Sequence, residues 1–342
     1  MHSGEESEMG KLSRRATMKG LAGVAGTGFF AVPYAARAET TWNLLLAIPV
    51  STGAPARGAV KFAEDVEKAT KGQLKIKVHL GGSLPIQLST VTSAVSNNVV
   101  QLAEDIFQAG NVPIVLVTRL PMLIRNVKEF EDSQAILMPY VQDAYNKKGI
   151  EVLGQWRYAA QTLWSRKKLI SLADIKGQKF RLQSPEQGEL IVRNGGSVLT
   201  LNGPEVASAL DRGLVDGVVT SSSGLGFMLR DLLKYNYVLP INFAEAYLIG
   251  NKEAVNAIPE EQRAALRKAA VEYGNWVTQA LEAEEDSLRQ KMKDAGMIVT
   301  PAQPQDVQEA QQQMAKYWES WPKTQASETA EALGKVRKSL DR

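Results

Sequence analysis

Residues 174–223 change their hydrophobic period several times, and this pattern restricts the fold more than any other part of the chain. Strand-like segments occur at residues 179–183, 197–201 and 215–220. Between them, residues 184–186 (SPE) and 202–205 (NGPE) carry the cap, proline and acidic residue of a helix start. Because a helix returns the chain to the edge where it began, the order βαβαβ predicts parallel strands and an α/β fold.

Arg181 lies inside the first of these strands, just before its carboxyl end. In parallel sheets, ligands bind beyond the carboxyl ends of the strands, where helix N-termini direct backbone N–H groups outward. Two interpretations are open at this stage. Arg181 is either a surface residue paired with a nearby acid or a group that binds an anionic ligand. Ser184, at the start of the following helix, is a candidate for a further hydrogen bond to that ligand.

The composition limits the classes of function. A chain of 342 residues with 44% hydrophobic content can bury a large core and predicts about two domains. Residues 1–38 account for +2 of the formal net charge of +3, so the remainder is nearly neutral, which argues against nucleic acid as a partner. The chain has no cysteine, and its two histidines cannot form a metal pair, because His2 lies in the leader and His79 at the end of a predicted strand. We therefore predict no metal and no cofactor.

Residues 1–38 have the three parts of a secretory signal: a basic region, a mildly apolar stretch and a small-residue cleavage site at 36–38 (ARA). Arg14 and Arg15 lie in a segment that resembles a twin-arginine export signal. We predict export to the periplasm and a mature chain that begins at Glu39. No run of eighteen apolar residues follows the leader, so the body of the chain is not expected to span a membrane.

The rest of the chain also alternates strands and helices. Before the central stretch, strands are predicted at residues 42–48, 73–79, 99–106, 150–156 and 161–165, and helices at 54–70, 87–96 and 127–147. After it, extended segments broken by Pro240 are predicted at 232–247, a long helix at 259–295 and a last helical segment at 305–340. A helix of about 50 Å is longer than one small domain needs, so it should span two.

The central stretch contains the patterns K-G-x-K-x-R and E-V-x-x-A-L-x-x-G-x-V-D-G. They are matched by Lys176, Gly177, Lys179, Arg181, Glu205, Val206, Ala209, Leu210, Gly213, Val215, Asp216 and Gly217. These patterns resemble the signature of the substrate-binding proteins of tripartite ATP-independent periplasmic (TRAP) transporters, the DctP family. Phe62, Ala63 and Glu64 and the L-P-M-L segment at 120–123 also resemble landmarks of that family, so the resemblance covers essentially the whole mature chain.

The resemblance implies an α/β, two-domain periplasmic binding protein of type II-like architecture, with a cleft between the domains, hinge strands and a long helix spanning both domains. Domain I is expected at residues 39–158 plus 247–287, and domain II at 159–246 plus 288–342. The resemblance implies capture of a small organic carboxylate and its delivery to TRAP membrane permease subunits. We also expect a monomer that is not an enzyme. In the family, the arginine at the position of Arg181 holds the substrate carboxylate.

The expected site departs from the family pattern at several positions. Gln161 stands where many members have a second arginine, and Thr220 stands where they have an asparagine. Ile48 replaces a polar residue of the first strand. Each change removes charge or hydrogen-bonding capacity. Glu104, at the end of the third strand, is either a polar substrate contact or a solvated strand end.

Trp156, Tyr158 and Trp164 lie near these positions and either line the pocket or belong to the core. If they line it, a monocarboxylate with a bulky and possibly aromatic body would suit the pocket. A binding protein for a sensor or another transporter class, and a periplasmic enzyme, stay open as alternatives. GxSxG, HExxH, a P-loop and a strand-linked GxGxxG are all absent from the sequence.

Overall fold

The computed structural model of the chain describes residues 39–106 and 112–342. The predicted leader and its twin-arginine segment lie outside these residues, so the signal peptide and its export route stay predictions. The strands are β1 (Thr40–Leu45), β2 (Leu74–His79), β3 (Leu102–Asp105), β4 (Ile150–Arg157), β5 (Gln161–Ser165), β6 (Lys179–Leu182), β7 (Ser197–Thr200), β8 (Gly217–Thr220), β9 (Tyr235–Asn242), β10 (Glu245–Asn251) and β11 (Ile298–Pro301). The helices are α1 (Ala54–Ala69), α2 (Val91–Ser96), α3 (Val127–Asn146), α4 (Glu189–Arg193), α5 (Val206–Asp211), α6 (Lys252–Ala257), α7 (Glu260–Asp294), α8 (Pro304–Ser320) and α9 (Ser327–Ser339).

The strands form two sheets, with the orders β2-β1-β3-β10-β4 and β11-β9-β5-β8-β6-β7. We call the parts of the chain built on them the first and the second lobe. β1 is parallel to β2 and β3, and β6 is parallel to β7 and β8, which confirms both predicted βαβαβ segments. The remaining pairings are mostly antiparallel: β10 pairs with β3 and β4, and β5 pairs with β8 and β9, whereas β11 is parallel to β9.

The chain passes between the two sheets three times. It leaves the first sheet between β4 and β5, returns between β9 and β10, and crosses again along α7. At 1.5 Å per residue, the 35 residues of α7 span about 50 Å. One part of this helix packs on α1 and β4, and a later part packs on residues 222–226, which follow β8. The predicted hinge strands and shared helix are therefore present in the fold.

Two glycines let α7 lie directly against β4. A Cβ atom added to Gly274 would lie 2.2 Å from the backbone oxygen of Gln155, and one added to Gly154 would lie 2.6 Å from that of Ala270. Such distances are too short for any side chain at either position. The backbones of helix and strand are therefore in contact, and this contact fixes where the long helix leaves the first lobe.

The C-terminal segment forms two helices instead of the one helical segment predicted at 305–340. The chain breaks at Trp321 and Pro322, because proline lacks an N–H group and cannot continue the helix. α8 packs on α4 of the second lobe, whereas α9 packs on α3. The last residue, Arg342, donates from Nη2 to Oε1 of Glu129 on α3 at 2.7 Å. The C-terminal helices thus contact both lobes.

β9 continues through Pro240, which was expected to interrupt it. The pairing of β9 with β5 is irregular between Gln161 and Leu163, and its pairing with β11 ends at Val238. Pro240 therefore lies where the ladder does not need a regular N–H donor, the usual place for a proline inside a strand.

The hydrophobic cores lie between each sheet and its helices. Trp156 is 1% exposed and packs against Tyr273 of α7, with ring centroids 5.1 Å apart. Trp164 is fully buried beside α5 residues such as Leu210. Within the described ranges, no helix has the length and apolarity needed to cross a membrane.

The contact between α7 and β4 gives a test of the fold. Gly274→Ala should lower the free energy of unfolding by about 1–3 kcal/mol, because the added methyl group forces two backbones apart. Gly334→Ala, in α9, is the matched control, since a Cβ there meets no atom within 4 Å. The control should raise stability by up to about 1 kcal/mol through helix propensity. Urea unfolding of both variants measures the difference, and equal effects would contradict the close contact.

Candidate functional site

A cleft with about 620 Å³ of empty space, partly open to solvent, lies between the lobes. The first lobe lines it with Ala47, Ile48, Pro49, Ile106 and Tyr158. The second lobe contributes Gln161, Arg181, Gln183, Gly203, Thr220, Ser221, Ser223, Gly224 and Leu225. Most of these residues lie at or just beyond the carboxyl ends of the parallel strands β1, β3, β6, β7 and β8. The cleft is thus where ligands bind in open α/β sheets.

Arg181 lies in β6 and reaches the cleft with a side chain that is almost fully buried. Its Nε and Nη2 atoms donate to the backbone oxygen of Leu201, just after β7, at 2.8 and 2.6 Å. This carbonyl occupies one side of the guanidinium group and sets its orientation. Nη1 and the second hydrogen of Nη2 form the other side of the group.

No carboxylate of the described residues lies within ion-pair distance of Arg181. Burial is the main reason that the pKa of this guanidinium falls to about 10. The positive charge of Arg119 lowers it further, and the charge of Glu205 partly opposes the shift. Arg181 is therefore a buried cation for which the described part of the chain provides no direct counter-charge.

Gln161, at the start of β5, belongs to a group of buried amides. Gln187 donates from Nε2 to Oε1 of Gln161 at 2.8 Å and to Oδ1 of Asn242 at 3.2 Å. Oε1 of Gln187 accepts from the backbone N–H groups of Gln183 and Ser184 at 3.0 and 3.1 Å. Gln187 lies in the short helical turn Pro185–Gly188, which follows β6 and leads into α4, and it ties the start of this turn to β5 and β9.

The hydroxyl groups after β8 accept hydrogen bonds from their own loop. Thr220 Oγ1 accepts from the N–H of Leu225 at 3.1 Å, and Ser221 Oγ accepts from the N–H of Gly224 at 3.0 Å. The backbone oxygen of Thr220 accepts from Nε1 of Trp164 at 2.9 Å. Because these oxygens are held by N–H donors, the hydroxyl protons are available to a ligand.

Glu104 is fully buried at the end of β3, and both of its oxygens have partners. Oε2 accepts from the N–H of Ala47 at 2.8 Å, and Oε1 accepts from the hydroxyl of Tyr158 at 3.0 Å. Burial raises the pKa of Glu104 to about 7, against the lowering effect of these two hydrogen bonds, and the charge of Asp105 adds to the rise. The carboxyl group holds two cleft-lining residues and is not itself part of the lining.

A second buried arginine, Arg119, connects the lobes behind the cleft. Its Nη1 donates to Oε1 of Gln183 at 2.9 Å, and its Nη2 donates to the backbone oxygen of Ile106 at 3.2 Å. Nε lies 4.0 Å from Oε2 of Glu245, a carboxylate that also accepts from Thr118 Oγ1 at 2.7 Å. Burial raises the pKa of Glu245, and the Arg119 charge opposes that rise. This arginine thus already has an acid beside it.

The loop at residues 221–226 is held from the other side by α7. Glu285 accepts from the N–H groups of Ser222 and Ser223 at 2.9 and 2.8 Å and from Ser223 Oγ at 2.8 Å. Arg289, one turn further along α7, donates to Glu285 Oε1 at 2.5 Å. The long helix therefore determines where this part of the cleft lies.

The predicted site residues divide into three groups. Arg181, Gln161 and Thr220 line the cleft together. Glu104 and Ser184 lie directly behind the lining, where Ser184 contributes its backbone N–H to Gln187. Trp156 and Trp164 belong to the cores of the two lobes and are not among the lining residues. Trp156 packs against Tyr273 of α7, and Trp164 packs in the cluster that contains Leu210 of α5.

Sequence reasoning missed Arg119, Gln183, Gln187 and Glu285. The sequence could have indicated Arg119, since it is a lone basic residue within the apolar run at 113–123. Gln187 occupies the third position of a helix start, where Glu and Gln often accept from the cap backbone. Gln183 and Glu285 gave no comparable signal.

Within residues 39–106 and 112–342, no group of three or more His, Cys, Asp or Glu side chains is placed to hold a metal ion. The chemistry available to a ligand in the cleft is therefore that of a guanidinium group, amides, hydroxyls and apolar walls. These groups can bind an anion through charge and hydrogen bonds.

Comparison with known proteins identifies the family of the chain. Residues 51–324 match the DctP family, bacterial extracellular solute-binding protein, family 7. The C4-dicarboxylate-binding periplasmic protein DctP of Rhodobacter capsulatus is 25% identical over 245 residues, which are 70% of this chain and 74% of that protein.

Solved structures share the fold. DctP7 of Bordetella pertussis, an extracytoplasmic solute receptor binding pyroglutamic acid, is 26% identical with a TM-score of 0.80, over 87% of this chain and 99% of that one. A TRAP periplasmic solute-binding protein from Desulfovibrio salexigens with bound orotic acid is 20% identical with a TM-score of 0.80, over 88% of this chain and 99% of that one. As its sequence predicts, the chain therefore belongs to the DctP family, the periplasmic substrate-binding proteins of TRAP transporters.

Proposed function

We propose that this protein captures an organic monocarboxylate between its two lobes and delivers it to a TRAP-type membrane permease. The observation that carries the proposal is the buried guanidinium of Arg181, which faces the cleft without an acid within ion-pair distance in the described part of the chain. A desolvated cation of this kind binds an anion strongly, because the closed cleft excludes competing water.

The geometry of Arg181 favours one mode of carboxylate binding. The side formed by Nε and Nη2 is occupied by the Leu201 carbonyl. A carboxylate therefore binds end-on, to Nη1 and the remaining hydrogen of Nη2. Two parallel hydrogen bonds in this arrangement keep the bidentate geometry that distinguishes arginine from lysine.

The charge of the cleft favours a single carboxylate. Arg119, the other buried arginine near Arg181, already has Glu245 beside it. Gln161 stands where the family resemblance suggests a second arginine, and its amide is neutral. A second carboxylate on the ligand would thus be buried without a cation to compensate its desolvation.

The body of the ligand is expected to be compact and mainly neutral. The prediction of an aromatic body depended partly on Trp156 and Trp164, both of which lie in the cores. Tyr158 is the one aromatic side chain among the lining residues that the structure describes. Pyroglutamic acid, the ligand of the 26% identical Bordetella pertussis receptor, is a monocarboxylate of this kind. The Rhodobacter capsulatus relative, named for C4-dicarboxylates, gives the alternative that a ligand screen must include.

Glu104 acts in this proposal by positioning the Tyr158 hydroxyl, not by touching the ligand. That hydroxyl donates to Glu104 Oε1, so the carboxyl group holds the Tyr158 side chain in the cleft wall. Gln161 and Thr220 contact the ligand directly, as the sequence predicts, and Ser184 supports Gln187 behind them.

A thermal-shift screen of small monocarboxylates, C4-dicarboxylates and sugar acids tests the substrate class. A ligand at 100 times its dissociation constant stabilises the native state by about 2.7 kcal/mol, which is readily detected as a shift in Tm. Stabilisation by monocarboxylates above the other two classes supports the proposal. A larger shift with dicarboxylates would contradict it.

Arg181→Ala should weaken binding of the monocarboxylate found in that screen by about 30-fold to several thousand-fold, because the carboxylate would be buried without a counter-charge. Arg181→Lys should weaken binding less, since lysine keeps the charge but cannot donate two parallel hydrogen bonds to the carboxylate. Arg193→Ala, which removes an arginine of α4 that pairs with Glu189, is the control and should bind normally. Calorimetric titration gives the dissociation constants. A value for Arg181→Ala within a few-fold of wild type would show that another group anchors the ligand.

The raised pKa of Glu104 predicts a pH dependence of stability. Between pH 4.5 and about 7 the folded protein keeps a proton on Glu104 that the unfolded chain releases, so stability falls as pH rises through this window and is level above it. Glu104→Gln should remove on the order of 2 kcal/mol of this decline. Urea unfolding at pH 5 and pH 8 measures the change in the free energy of unfolding between these pH values. Glu64→Gln, at an exposed position, is the control. Equal pH dependence in wild type and Glu104→Gln would mean that Glu104 ionises normally.

A further inference from the structure

We infer that Gln187 is a positioning residue that fixes the amide of Gln161 with its N–H₂ group toward the cleft, so that the substrate must present an acceptor oxygen there in addition to its carboxylate. The inference rests on the proposed function, because it concerns the ligand of the same cleft. It follows from a chain of buried hydrogen bonds that is anchored at both ends by backbone groups.

The first anchor is the start of the helix after β6. The backbone N–H groups of Gln183 and Ser184 point at the side chain of Gln187, at 3.0 and 3.1 Å. A backbone N–H can only donate, so the atom of Gln187 that faces both groups must be its oxygen. The nitrogen of the Gln187 amide therefore points the other way, toward β5 and β9.

The second anchor is on β9 and is independent of the first. Asn242 donates from Nδ2 to the backbone oxygen of Phe243 at 2.6 Å, and a carbonyl can only accept. The oxygen of Asn242 is thus turned toward Gln187, where it accepts from Nε2 at 3.2 Å. Both anchors require the same orientation of Gln187, although they lie on different elements of the second lobe.

Gln161 receives its orientation from this fixed donor. Its Oε1 accepts from Gln187 Nε2 at 2.8 Å, which leaves its own Nε2 as the polar atom available to the cleft that it lines. Gln183 is oriented in a similar way, because its Oε1 accepts from the guanidinium of Arg119. The Nε2 group of Gln183 also donates to the backbone oxygen of Ile106 at 3.4 Å, so Arg181 and Gln161 are the main N–H donors of the second-lobe wall.

A wall of donors discriminates between ligands of the same shape. A carbonyl, ether or ring oxygen opposite Gln161 completes a hydrogen bond, whereas an N–H group there leaves two donors facing each other in a desolvated site. Gln161 cannot adapt by turning its amide over, because its oxygen would then lose the Gln187 donor and its nitrogen would face another N–H. Specificity at this position is thus set by a residue that need not touch the ligand.

The orientation can be measured without any ligand, by the exchange of side-chain amide protons with water in ¹⁵N-labelled protein. The Gln187 N–H₂ group donates to two buried acceptors and should exchange at least about tenfold more slowly than that of Gln161, which faces the cleft. Gln161→Met and Gln187→Met assign the two signals by their loss. A protected Gln161 amide beside a rapidly exchanging Gln187 amide would overturn the inference.

Two isosteric ligands test the expected preference for an acceptor oxygen opposite Gln161. Furan-2-carboxylate has a ring oxygen next to the carboxylate-bearing carbon, and pyrrole-2-carboxylate has a ring N–H at the same position. Wild type should bind the furan about tenfold more tightly than the pyrrole. Gln187→Glu keeps an acceptor for the backbone N–H groups but cannot donate to Gln161, so the Gln161 amide should turn over and the preference should reverse. Gln187→Met, which adds no charge, should reduce the preference toward equality and covers the case in which Gln187→Glu does not fold.

Gln262→Glu is the matched control, since Gln262 also donates from Nε2 to a glutamine oxygen, that of Gln73, at 2.6 Å outside the cleft. It should leave the furan preference unchanged. An equal or pyrrole-favouring preference in wild type, or an unchanged preference in both Gln187 variants, would overturn the inference. If neither ligand binds wild type, that result counts against the proposed monocarboxylate function, and the amide exchange still decides the orientation of Gln161.

Discussion

The burial of the Arg181 guanidinium is the constraint on which the cleft depends. A charge removed from water is costly unless it is paired, and here one backbone carbonyl, that of Leu201, meets only part of the need. The positive charge of the neighbouring Arg119 would raise this cost, but the carboxylate of Glu245 lies beside Arg119. The folded protein thus carries one cation whose direct partner is absent from the described chain. Under the proposed function, binding an anion relieves this cost, and ligand binding and stability are then linked at one residue.

The position of this charge follows from the topology. The carboxyl ends of β1 and β3 in the first lobe and of β6, β7 and β8 in the second lie at the cleft, and β4 to β5, β9 to β10 and α7 carry the chain across. Arg119 joins the two sides by bonding to Gln183 of the second lobe and to the backbone oxygen of Ile106 in the first. Ligand contacts from both lobes can therefore form together only when the lobes are close, as in other proteins that bind a ligand by closing about a hinge.

Much of this architecture could be predicted from sequence, because periodicity and helix-start signals are local. These local signals predicted the strand ends that carry Arg181, Gln161 and Thr220. The surroundings of the tryptophans did not follow, because the pattern of a single strand does not show which helix covers the face that carries Trp156 or Trp164. Gln187 was missed for a different reason, since its partner Gln161 is 26 positions away and only the folded chain brings them together.

Glu285 has one further consequence for the cleft. Successive backbone N–H groups in a turn form a concavity that commonly binds anions, and the turn after β8 offers those of Ser222 and Ser223. The carboxylate of Glu285 already fills that concavity. The protein therefore carries a resident anion on its long helix, and a guest anion that enters the cleft finds these two amides taken. Under the proposed function, its charge is met instead by Arg181, which lines the cleft from the same lobe.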